Sequence, residues 1–249
     1  MNAYLDLVHK FGAHNTNFIA PLIGSELGNF LLFLTILLVL GKNQRIGYEK
    51  MSQPLFNAEL MPAQMKANLD EFMHKIQDLS DTLHINLKPF QADHIALRIN
   101  DAELAKLAHQ EWQKEGQVIS NAQINGRPII VILFEQALCS HGWDIECLEL
   151  PYPAPGKIYS EQNWEHVEFV VPSDAQSAQD YLADLKLQFP ALAQNWDALL
   201  EKEVKVKLSS PKGEGERLNN PTVAFKHKGV CIKLHPHPLK AIVESEQSA

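Results

Sequence analysis

The sequence predicts an α+β protein: two β-α-β-β-β modules whose strands form a curved mixed sheet around a polar cup, preceded by an N-terminal helix. Three observations carry this. The order strand, helix, three strands occurs twice, over about 90–155 and 160–237, a spacing that reads as a duplicated module and not as a solenoid repeat. The first strand of each module carries a histidine, His94 or His166, on the parity opposite its apolar residues. The last strand of each module also keeps its polar residues on one parity.

The elements follow in order. Leu69, Phe72, Met73, Ile76, Leu79 and Leu83 recur at three- and four-residue steps, which predicts an amphipathic helix over 65–83. After a turn at Lys88-Pro89, Ile95, Leu97 and Ile99 alternate with His94, Ala96 and Arg98, as in a half-buried strand. Asp101 is placed to cap a helix running to about Glu115. Three strands come next, at 117–124, 128–135 and 143–150. Asn125-Gly126 joins the first two as a hairpin, because both residues tolerate positive φ.

The second module repeats the pattern. A strand over 165–171 sets Val167, Phe169 and Val171 against His166 and Glu168. Pro172-Ser173-Asp174 opens a helix to about Phe189. Strands at 204–208, 222–226 and 230–234 and a helix over 239–246 complete the chain. With the apolar parity facing the helices, His94, Arg98, His166 and Glu168 face the other way. So do Cys147 and Glu149, and Cys231, Lys233 and His235. A sheet curved about that shared face encloses them.

The composition is that of a globular protein of 249 residues, 45% hydrophobic and 21% charged, which excludes collagen-like and wholly disordered chains. Lys and Arg number 22 against 30 Asp and Glu, a net charge of −8 that argues against a nucleic-acid partner. The three cysteines, Cys139, Cys147 and Cys231, form no CxxC pair and suit reduced thiols in a cytoplasmic protein.

Residues 1–60 read as a leader with balanced charge around one apolar run, Phe30–Leu40. Eleven residues fall short of the ~20 that span a bilayer. Extension back to Phe18 reaches that length but includes Glu26. Two readings stand: a membrane anchor, with Lys42, Arg45 and Lys50 holding the domain on the cytoplasmic side of the inner membrane, or a start codon assigned too early. On the second reading a chain starting at Met61 is as stable as the longer one.

No Walker A, GxSxG, HExxH or complete dinucleotide fingerprint occurs, so phosphate-loop and nucleophile chemistries have no support. Each remaining polar residue has a plain structural reading. A lone histidine is usually a hydrogen-bonded core residue, Glu149 can pair with Arg98 or Lys233, and Arg127 is a turn residue unless its loop folds inward. Lys212, Glu214, Glu216 and Arg217 form a charged loop, either a hydrated surface or a lid.

Residues from about 65 onward resemble the YecM-like bacterial family, and more broadly the vicinal oxygen chelate superfamily of glyoxalase I and the extradiol dioxygenases. The strings that carry the resemblance are ADHIALR (92–98), INGRP (124–128), ELPYP (149–153), WEHVE (164–168), SSPKGE (209–214) and SEQSA (245–249). The superfamily's fold is the two-module cup, and its members hold a divalent metal on the first and last strands. Carried over by position, the resemblance implies metal ligands His94, Glu149 and His166. The fourth position is Lys233, which departs from the usual carboxylate: either three ligands and water hold the metal, His235 substitutes from two residues on, or the cup binds no metal.

Glu168 is then the candidate general base, with Arg98, Arg127 and Lys233 as substrate-binding cations. The implied cofactor is Zn, Mn, Ni or Fe. The implied function is isomerase, lyase or oxygenase chemistry on a small oxygen-bearing metabolite, or else non-catalytic binding of a small anion.

Overall fold

The computed structural model describes residues 52–124, 126–210 and 218–247, together with Thr35, Leu38, Val39 and Lys42. The chain divides into two units, 1–53 and 54–249. In the first, Thr35, Leu38, Val39 and Lys42 are helical and exposed. The rest of the apolar run, the turn residue Asn125, and the charged loop residues Lys212, Glu214, Glu216 and Arg217 lie outside the described residues. Among the described residues no helix is long and apolar enough to cross a membrane.

The second unit is α+β. Its helices are α1 (Pro62–Ala67), α2 (Leu69–Thr82), α3 (Ala102–Trp112), α4 (Ala178–Gln188), α5 (Pro190–Gln194), α6 (Trp196–Glu201) and α7 (Leu239–Gln247). Its strands are β1 (Gln91–Arg98), β2 (Gly116–Ile124), β3 (Arg127–Ser140), β4 (Trp143–Pro151), β5 (Asn163–Val170), β6 (Lys205–Ser209), β7 (Thr222–His227) and β8 (Val230–His235). They form one eight-stranded mixed sheet in the order β2-β3-β4-β1-β5-β8-β7-β6.

That order is a pseudo-twofold. In each half the last strand runs parallel to the first, β4 beside β1 and β8 beside β5, and the remaining neighbours are antiparallel. The halves join through the antiparallel pair β1·β5, with Ile95 opposite Val167. Register fixes the equivalences between modules. His94 lies beside Cys147 as His166 lies beside Cys231, and Ala96 beside Glu149 as Glu168 beside Lys233.

The expected parity holds. Ile95, Leu97, Val167, Phe169, Leu148, Leu150, Ile232 and Leu234 are all fully buried beneath the helices. The amphipathic helix breaks at Asn68 into α1 and α2, and Leu69, Phe72, Met73, Ile76 and Leu79 of α2 enter the same core. Asp101 caps α3 by accepting from the Leu104 amide at 2.9 Å.

The cap of α4 lies further along than expected. The Ser173 hydroxyl donates to Asp184 and accepts from the Ala175 amide in a local turn. Ser177 therefore caps the helix, accepting from the Asp180 amide at 3.1 Å. The hairpin turns at Gly126, with φ at 76°. At Gly116 any Cβ would lie 2.1 Å from the Leu133 carbonyl oxygen, so only glycine lets β2 approach β3.

The core begins before residue 61. Ala58 donates its amide to the Pro54 carbonyl and Leu60 to that of Leu55, and this turn drives Leu55 and Leu60 into the core with almost no exposure. A chain starting at Met61 is therefore expected to be less stable than one starting at Pro54, by about 3 kcal/mol for the lost leucine packing. Urea unfolding of the two chains checks this; equal midpoints would show that the turn adds nothing.

Candidate metal centre

One pocket of about 450 Å³ opens on the face of the sheet away from the core. Every strand contributes to its wall: His94 from β1, Ile124 from β2, Arg127 from β3, Glu149 from β4, Glu168 from β5, Lys207 from β6, Thr222 from β7 and Lys233 from β8. Leu239 and Ile242 of α7 complete it. Eight strands can share one pocket only if the sheet curves strongly, so this pocket is the cup.

His94, Glu149 and Glu168 of this lining, with His166 next to them outside it, each offer one ligand atom, all within 4.8 Å of one another. The Nε2 of His94 lies 3.3 Å from Glu149 and 3.2 Å from Glu168, and that of His166 lies 3.0 Å from Glu168. Side-chain exposure is 4% for both histidines and 9% for Glu168.

The orientation of His94 is set from behind. Its Nδ1 lies 2.9 Å from Asp93 Oδ2, which also accepts the Leu239 amide at 2.9 Å. A proton on Nδ1 leaves Nε2 as the free nitrogen, and that atom is buried without a hydrogen-bond partner. An imidazole anchored on a carboxylate, with its other nitrogen facing two more carboxylates, is held as a metal-binding histidine is held.

The charges fit the same ion. Burial works against ionisation of Glu149, Glu168 and Asp93. Lys233 and the nearby histidines more than reverse this for Glu149, held at about 2, and for Glu168, held well below the usual carboxylate range, while His94, His235 and the Leu239 amide hold Asp93 below its own. Burial likewise lowers the Lys233 pKa, but Glu168 and Glu149 turn the net shift upward, with Nζ 2.6 Å from Glu168. Three carboxylates against one ammonium leave two negative charges, which one divalent cation cancels. With no cation, burial disfavours a charged His94, yet Glu168 and Asp93 raise its pKa well above the usual value, so a proton partly fills the deficit.

Several residues stand apart from their expected roles. Arg98 leaves the cup: it pairs with Glu165 and lies 4.4 Å from the Tyr159 ring, outside the pocket lining. Four residues along β1 separate it from His94 by about 13 Å, and the ladder is irregular after Ala96. Glu168, the expected general base, lies among the ligand atoms, 3.0 Å from His166 Nε2 and 2.6 Å from Lys233 Nζ, with its carboxyl held well below the usual range by Lys233 and His94. It pairs with Lys233 on the neighbouring strand, from a position where the first module has Ala96 beside Glu149.

His235 lies beside the four-residue group. Its Nδ1 is 2.7 Å from the His237 carbonyl oxygen, and its partnerless Nε2 lies 3.7 Å from Asp93 and 3.6 Å from Glu168. With Asp93 and His94 it forms a second, adjacent group. Arg127 does fold inward, donating from Nη1 to the Tyr152 carbonyl at 2.9 Å on the pocket wall.

Two participants were absent from the sequence reading. Asp93 lies on the apolar parity of β1, and the irregularity between Ala92 and His94 frees it from strict alternation. A charged residue at an apolar position directly before a histidine was its signal. Lys207 lies on a short edge strand, where lysine is unremarkable.

A family model described as "YecM protein" matches residues 61–246. Protein YecM of Escherichia coli K12 is 36% identical over 187 residues, covering 74% of this chain and 93% of that protein. A Haemophilus influenzae protein described as uncharacterized is 34% identical over 182 residues, 71% and 90% of the two chains. A solved structure described as "Structural Genomics, Protein EC4020" aligns with a TM-score of 0.59 at 32% identity, covering 74% and 92%.

Proposed function

The chain belongs to the YecM family, and on that premise we propose that it binds one divalent metal ion in the cup, on His94, Glu149, His166 and Glu168. The observation that carries this reading is the buried Nε2 of His94, anchored through its other nitrogen and facing two carboxylates without a hydrogen bond. Buried polar atoms are almost always satisfied, and a cation satisfies this one and both carboxylates together. Two imidazoles and two carboxylates suit Zn, Mn, Ni or Fe(II).

The resemblance to the glyoxalase and dioxygenase-like superfamily extends the reading to a metal-dependent isomerase, lyase or oxygenase acting on a small oxygen-bearing metabolite. When bound, such an ion acts as a Lewis acid on a ligand oxygen. The chain's own residues orient His94 through Asp93, hold Glu168 ionised through Lys233, and line the pocket with the apolar Ile124, Ile129 and Ile242.

Purified protein stripped with chelator and reloaded with each metal in turn is expected to retain one equivalent per chain of at least one of them. His235→Ala is expected to retain it too, because His235 stands outside the four-residue group. Elemental analysis after gel filtration is the measurement, and retention of none of the four metals overturns the reading.

A further inference from the structure

We infer that the pocket takes a small anionic ligand, a carboxylate or a phosphate, whose charge falls on Arg127 and Lys207 of the outer wall. The inference rests on the divalent ion proposed above. Among the described residues that line the pocket, Glu149 and Glu168 are the carboxylates, and Arg127, Lys207 and Lys233 the cations.

Lys233 is engaged by Glu168 at 2.6 Å. With one divalent ion bound, the charges of Asp93, Glu149, Glu168 and Lys233 cancel, so the floor of the cup has no net charge to offer Arg127 or Lys207. Those two stand on β3 and β6, one from each module, at a shared pocket, and among the described residues no carboxylate is paired with either.

The wall around them favours an anion further. Arg127 is half-buried, and its bond to the Tyr152 carbonyl fixes the guanidinium plane. Ser209 and Ser210 add hydroxyl groups on the Lys207 side. Ile124, Ile129 and Ile242 supply low-dielectric surface, which strengthens an ion's attraction to nearby opposite charge. A neutral ligand offers neither cation a counter-charge; an anion meets charge-assisted donors from both modules.

Of the three cations expected from the sequence to hold a substrate, Arg98 and Lys233 are each already paired with a carboxylate. This leaves the role to Arg127 and Lys207.

The test is calorimetric titration of the metal-loaded protein with glycolate, with methyl phosphate, and with neutral glycolamide, metal content being measured first on every sample. Both anions are expected to bind at least about tenfold more tightly than glycolamide. The tighter of the two assigns the ligand to the carboxylates or the phosphates. Arg127→Gln and Lys207→Gln are each expected to weaken anion binding about tenfold with metal content unchanged.

Equal affinity for glycolate and glycolamide overturns the inference, as does absence of anion binding to metal-loaded protein or indifference to both substitutions. Anion binding, with the same dependence on Arg127, by protein that retains none of the four metals would keep the anion site and overturn the metal reading instead. Lys207 is exposed on an edge strand, so its variant reports on binding with no demand on folding.

Discussion

His94→Ala is expected to abolish stoichiometric metal while leaving the fold intact, and His166→Ala to do the same. Each removes a nitrogen from a group whose ligand atoms all lie within 4.8 Å. Loss of an outer-shell partner alone typically weakens a metal site 10–100-fold, so loss of a ligand is expected to exceed a hundredfold. Asp93→Asn tests the grading within the site. It removes the carboxylate behind His94 Nδ1 and is expected to weaken binding within that 10–100-fold range without abolishing it. Elemental analysis and competition with a chromophoric chelator measure all three, with circular dichroism to check folding. Full metal content in His94→Ala would remove the centre from the cup.

Much of this arrangement was legible because the period of a strand decides which face a side chain takes. Ile95, Leu97, Val167 and Phe169 fixed the buried face of two strands, and with it the outward face of His94 and His166. The duplicated order of elements then put those strands side by side, and the register of Ile95 against Val167 makes the symmetry literal. Alternation failed where the ladder is irregular. Breaks on either side of the Asp93–Ala96 stretch release Asp93 from the apolar parity and precede Arg98, which pairs with Glu165. The role of Glu168 was hidden for another reason. Its equivalent in the first module is Ala96, so symmetry gave no hint of a ligand there, and only the three-dimensional position of Lys233 explains it. Glu149 and Lys233 occupy equivalent positions in the two modules, and Glu168 brings a carboxylate from the neighbouring strand to that lysine.

Lys233→Met is therefore expected to destabilise the metal-free protein strongly and the metal-loaded protein much less. Its ammonium lies 2.6 Å from Glu168, whose side chain is 9% exposed, and it helps hold Glu149 ionised as well. Breaking a buried ion pair by removing one partner typically costs about 3–5 kcal/mol, because the remaining charge stays buried and uncompensated. Lys233 retains 27% of its side-chain exposure, which places the expected loss near the lower end, at about 3 kcal/mol. A divalent cation bound against the same carboxylate replaces the missing charge. Because it binds only the folded chain, it also adds stability that grows with its concentration. Metal affinity is expected to rise, since the site becomes one unit more negative, whereas an anionic ligand gains no such advantage. The measurement is the urea midpoint of wild type and variant, each with and without saturating Mn or Zn. A loss of equal size in both states would mean that Lys233 and the ion do not share a counter-charge, and that Glu168 faces elsewhere when the metal binds.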